Sequence, residues 1–90
     1  MTSEAICLIL DKAWESNSRA LIFIEDRGKF EINPELWDWE MYDSISTLCI
    51  FNKNSKIENY IDIDYISEIS IQTDDNRGDK EKGIGIERGT

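Results

Sequence analysis

Ala20-Leu21-Ile22-Phe23-Ile24-Glu25-Asp26-Arg27-Gly28-Lys29-Phe30-Glu31-Ile32 is the stretch on which the fold turns. Ala20 to Glu25 is an apolar run rich in β-branched and aromatic side chains, which suit a pleated sheet. Asp26-Arg27-Gly28-Lys29 supplies a turn in which Gly28 accepts a positive φ, and Phe30-Glu31-Ile32 returns as the antiparallel partner. The stretch predicts a β-hairpin.

Before it, Ser3 can cap a helix running from about Glu4 to Glu15. Glu4 falls in the first turn, where the helix dipole favours an anion. Ile6, Ile9, Leu10, Ala13 and Trp14 recur at helical spacing, and Ala5, Cys7 and Leu8 widen the apolar run. That breadth predicts a helix covered on more than one side. Ser16-Asn17-Ser18 ends it.

After the hairpin, Pro34 breaks the second strand. Glu35 to Asp43 interleaves aromatic residues with acids and reads as a short helical turn or an exposed loop. Leu36, Trp37 and Met41 then cap the sheet, with little room for Trp39 in the same small core. Ser46 to Asn52 reads as a strand near the middle of the fold, with Leu48 and Ile50 on one face and Cys49 and Phe51 on the other. Asn52-Lys53-Asn54-Ser55 is a turn by composition.

From Lys56 the alternation is clean: Ile57, Ile61 and Ile63 face one way, Glu58, Tyr60, Asp62 and Asp64 the other. Ile66, Ile69 and Ile71 then fall out of phase, which requires a bend at Asp64-Tyr65-Ile66, such as one 3₁₀ turn. Strand, tight bend and short final strand resemble the ending of small SH3-like or Sm-like barrels, in architecture only. The fold class is α+β: an N-terminal helix followed by a meander of about five antiparallel strands, with closure into such a small barrel as one outcome.

Residues 1–72 read as one acidic α+β domain. At this size only about 60% of the unfolded surface can be buried, so stability should be modest, and homo-oligomerisation or a partner would add to it. Residues 73–90 hold four of the five glycines and two apolar side chains, Ile84 and Ile86, and read as a disordered tail. The chain's net charge is −9, and residues 1–72 carry 14 acids against 6 bases. The acidity belongs to the folded part.

Such a charge disfavours direct binding to nucleic acid or to anionic membranes and favours a basic protein surface. No run approaches the roughly 20 apolar residues of a membrane span, and Glu4 stands where a signal peptide would be basic, so a cytoplasmic location is expected. Cys7 and Cys49 sit in apolar runs and read as reduced, buried thiols. Histidine is absent, which removes the commonest general base and metal ligand, so no enzyme and no cofactor is expected.

Two features carry the candidate site. In the first, Trp37, Trp39 and Tyr42 offer rigid anchoring area among Asp38, Glu40 and Asp43, whose charge would steer a basic partner. In the second, Glu58, Asp62 and Asp64 line one side of a strand with like charges about every 7 Å, a spacing similar to that of phosphates along one nucleic-acid strand. Asp62-x-Asp64 with Glu58 lacks the glycine and the further ligands of a calcium loop, so no metal site is expected. Arg77-Gly78-Asp79 matches an integrin-binding tripeptide in three letters only, and reads as coincidence.

The function expected is that of a small acidic, non-enzymatic binding protein occupying a basic surface of a partner protein. In size and charge it resembles immunity proteins and phage-encoded inhibitors of defence nucleases, which implies inhibition of a nucleic-acid-handling or defence protein. The alternative is an oligomeric small β-barrel binding a small ligand, such as a nucleotide signal, between subunits, with Arg27 and Lys29 or Lys53 and Lys56 as its bases.

Overall fold

A computed structural model describes residues 1–73 and shows a helix followed by six antiparallel strands in two three-stranded sheets. Helix α1 spans Ser3–Glu15, with Thr2 rather than Ser3 as its cap: the Thr2 hydroxyl accepts from the Ala5 N–H at 3.1 Å. Ile6, Leu10 and Ala13 are fully buried, whereas Leu8 is 69% exposed. The expectation of cover on more than one side is therefore corrected: a single stripe meets the sheets.

β1 (Arg19–Ile24) and β2 (Gly28–Ile32) form the expected hairpin, from Ala20 opposite Ile32 to Ile24 opposite Gly28. Its loop is Glu25-Asp26-Arg27, and both Asp26 (φ 62°) and Gly28 (φ 84°) take left-handed geometry. β6 (Ile66–Gln72) pairs with the other edge of β1, with a bulge at Phe23 and Ile24, giving the order β2-β1-β6.

β3 (Trp37–Tyr42), β4 (Thr47–Asn52) and β5 (Glu58–Asp62) make the second sheet with β4 in its middle, as its two-sided apolarity requires. The segment read as a helical turn or loop is thus a strand, followed by a 3₁₀ turn at Asp43–Ile45. Trp37, Trp39 and Met41 all lie against the core, opposite Asn52, Ile50 and Leu48. Period-2 alternation lets both tryptophans point inward, side by side along one strand.

The sheets are joined at two breaks. Between β2 and β3 the Asn33 side chain accepts from the Leu36 N–H at 3.0 Å and its carbonyl from the Trp37 N–H at 2.9 Å, so the chain turns at Pro34 instead of running on as one strand. Between β5 and β6 a 3₁₀ turn, Ile63–Tyr65, re-aims the apolar side, as the phase change predicts. Among the described residues no ladder closes the two sheets into a barrel.

The core is one cluster in which Ile6, Leu10 and Ala13 of α1 meet Ala20, Ile22 and Ile32 of one sheet and Leu48, Ile50 and Ile61 of the other. Ile57, expected to share the inward side with Ile61, precedes β5 and is 52% exposed. Of residues 73–90, read as disordered, all but Thr73 lie outside the described residues.

Candidate functional site: the outer face of the β3-β4-β5 sheet

Residues directly opposite on paired strands share a face, as do residues two apart along a strand. Applied to this sheet, the register gives three rows on the side away from the core. Asp38, Phe51 and Glu58 form the first, Glu40, Cys49 and Tyr60 the second, and Tyr42, Thr47 and Asp62 the third. The two features that the sequence holds apart are brought together by β4.

Four of these nine positions are carboxylates and none is a base. β3 and β5 lie about 10 Å apart across β4, and successive rows about 7 Å apart. Those distances are close to the roughly 8 Å Debye length at physiological salt, so the charges add into one negative field. Among the described residues, none of the four forms an ion pair with a lysine or arginine; the ion pair found there is Arg19 with Glu31 at 2.7 Å, on the other sheet.

Two phenols grip two of the carboxylates. Tyr42 Oη donates to Glu40 Oε1 and Tyr60 Oη to Glu58 Oε1, each at 2.8 Å. Each pair is a residue and its neighbour two places on, which a strand sets side by side. The bond from Glu58, aided by its charge, pushes the Tyr60 phenol up to about 12. The bond from Glu40 raises Tyr42 in the same direction. Both bonds favour the protonated phenol.

Cys49 lies between them, 3% exposed. Burial raises its thiol most; the neighbouring Tyr60 phenol acts the other way, and the charges of Glu58 and Glu40 add to the rise. Such a thiol is a poor nucleophile near neutral pH. Asp38 Oδ1 accepts from the Trp39 N–H at 2.9 Å.

The remaining residues singled out by sequence lie elsewhere. Trp37 and Trp39 pack against the core, off the acidic face. Asp43 opens the 3₁₀ turn after β3, near enough to α1 that its charge adds to the burial raising the Cys7 thiol. Asp64 has left β5 for the turn at Ile63–Tyr65, where its N–H donates to Asp62 Oδ1 at 2.9 Å. With Tyr60 between them, Glu58 and Asp62 stand about 13 Å apart along the strand, so the regular 7 Å row expected of Glu58, Asp62 and Asp64 is not formed. The acids are arranged across strands instead. Phe51, Cys49, Thr47 and Tyr60 complete the face: alternation along β4 and β5 pairs Cys49 with Phe51 and Tyr60 with the acids, and the register joins them across strands.

Beside this face, a cleft of about 420 Å³ opens between β5 and the β1–β2 loop, lined by Ile24, Arg27, Phe30, Tyr60, Asp62 and Tyr65 among others. Of the bases considered for a small ligand, Arg27 is in this cleft, while Lys53 Nζ donates to the Pro34 carbonyl at 2.8 Å. Among the described residues no three carboxylates or thiols converge as metal ligands, and no helix is long and apolar enough to cross a membrane. Comparison with known proteins, by family model, by sequence and by solved structure, finds no match to this chain.

Proposed function

We propose that this chain is a non-enzymatic binding protein whose β3-β4-β5 outer face occupies a basic surface of a partner protein. The supporting observation is the register that gathers Asp38, Glu40, Glu58 and Asp62 on one exposed face with no intervening base. Tyr42 and Tyr60 serve as the aromatic anchors, since both are exposed and held in place by their carboxylate bonds. In its sharper form the partner handles nucleic acid, and the carboxylates stand where its phosphates would lie. A phosphate-binding cleft is rich in lysine and arginine, and long-range attraction to such a cleft speeds encounter.

The test is capture from a cognate lysate by the immobilised chain, with a Glu40→Lys/Glu58→Lys double variant run alongside. Basic, nucleic-acid-binding proteins are expected on the wild type, released as salt rises and absent from the variant. Recovery of neutral or acidic proteins alone would overturn the reading.

A further inference from the structure

We propose that the free edge of β5 is a strand-docking site for an extended partner segment in which basic and apolar residues alternate. The inference rests on the reading of a basic partner and names how that partner is held. Among the described residues β5 ends its sheet, with β4 on one side only. The Asn52 N–H bonds to the Ile57 carbonyl at 2.9 Å and the Ile63 N–H to the Ser46 carbonyl at 3.0 Å. Hydrogen-bonded and non-bonded pairs alternate in an antiparallel ladder, so Ile57, Asn59, Ile61 and Ile63 turn their main-chain groups to β4. The N–H and C=O of Glu58 and Tyr60, and the N–H of Asp62, consequently point away from it.

That edge borders the cleft between β5 and the β1–β2 loop, so a further strand has room to lie there. Added strands gain affinity from main-chain hydrogen bonds and specificity from alternate side chains. On the outer side, alternate residues of the guest would stand beside Glu58, Tyr60 and Asp62, where opposite charge and aromatic contact favour lysine or arginine. On the other side they would face Ile24, Phe30 and Ile61, which favour aliphatic residues. Another copy of β5 is a poor guest, since Glu58 and Asp62 would meet like charges. β6 has no base to offer.

The probe is acetyl-Lys-Val-Arg-Val-Lys-Val-amide, titrated into the full chain and followed by amide NMR. Saturable shifts are expected at Ile24 to Arg27, Phe30 and Glu58 to Asp62, with slowed hydrogen exchange at the Glu58, Tyr60 and Asp62 amides. The same peptide N-methylated at all six residues keeps its charge but has no residue N–H to donate in either strand orientation, and should bind about tenfold more weakly or worse, the cost of lost main-chain bonds. Tyr60→Pro removes an outward N–H without touching the β4 ladder, so it should keep the fold and bind more weakly than Tyr60→Ala. Equal binding of the two peptides would overturn the inference. So would shifts confined to Asp38, Glu40 and Tyr42, an outcome that leaves the basic-partner reading standing. Concentration-dependent dimerisation that protects the same amides would also overturn it, by naming a second copy as the guest. If neither the peptide nor any basic protein binds, both proposals fall.

Discussion

Tyr60 stands directly across β4 from Glu40, with Cys49 between them, so two strands that never touch share one surface row. The phenol of that row donates to Glu58, not to Glu40, because the carboxylate two places back on its own strand is nearer its reach. Each edge strand therefore carries its own phenol–carboxylate pair, and the row is held from both sides.

The Tyr60 pair has a spectroscopic consequence. A phenol raised to about 12 stays neutral through the range in which an ordinary tyrosine ionises, near 10. Because the folded value lies above the unfolded one, the stabilisation it brings is complete below about 10 and is lost as pH climbs toward 12. In a tyrosinate absorbance titration one phenol should ionise near 12, and Glu58→Gln should move that midpoint down by removing the charge. An unmoved midpoint would show that the bond is not formed in solution.

The hairpin loop should respond to two substitutions in opposite directions. Gly28 has φ 84° with no heavy atom near the position of an added Cβ, so Gly28→Ala costs only backbone strain, about 1 kcal/mol. Asp26 has φ 62°, and Asp26→Gly should leave stability unchanged or raise it by a few tenths of a kcal/mol. Urea unfolding of both variants decides the matter, and a loss in Asp26→Gly as large as that in Gly28→Ala would refute the account.

Ile50 is fully buried at the centre of β4, opposite Trp39 and Asn59. Ile50→Ala should cost about 3 kcal/mol, transfer and cavity terms together. In a domain of modest stability this is a large share, and the melting temperature should fall by many degrees. A loss below about 1 kcal/mol would mean that the site collapses to fill the space.

Thiol chemistry separates the two cysteines. Both are raised, chiefly by burial, and each feels nearby carboxylates, Asp43 and Asp11 for Cys7 and Glu58 and Glu40 for Cys49. Cys7 is partly exposed and Cys49 buried, so a disulfide reagent at pH 8 should modify Cys7 first and Cys49 only as the fold opens. Urea below the unfolding transition should speed the slow phase and leave the fast one nearly unchanged. Equal rates for both thiols in native buffer would contradict the burial of Cys49.

What the sequence disclosed was whatever is periodic and local. The hairpin, α1, β4 and the bend before β6 are each written in adjacent residues. β3 is not written so plainly, although Trp37, Trp39 and Met41 alternate with Asp38, Glu40 and Tyr42 at period 2. Pro34 and the density of acids, poor strand formers, argued for a loop, and tertiary pairing with β4 overrode that preference. The candidate site was half legible. Its acids were nominated, but their assembly depends on the β3–β4 and β4–β5 registers, and a register is a long-range property that no single segment carries. The tryptophans were nominated for their chemistry, yet a strand gave them to the core and left the tyrosines outside.

The alternation of β3 divides responsibility within the chain. Its odd-numbered side chains, from Trp37 to Met41, help to hold the molecule together, and its even-numbered ones, from Asp38 to Tyr42, meet the world. Substitution at the outward carboxylates of β3 and β5 would recast the charge of that face while leaving the inward contacts that fill the core in place.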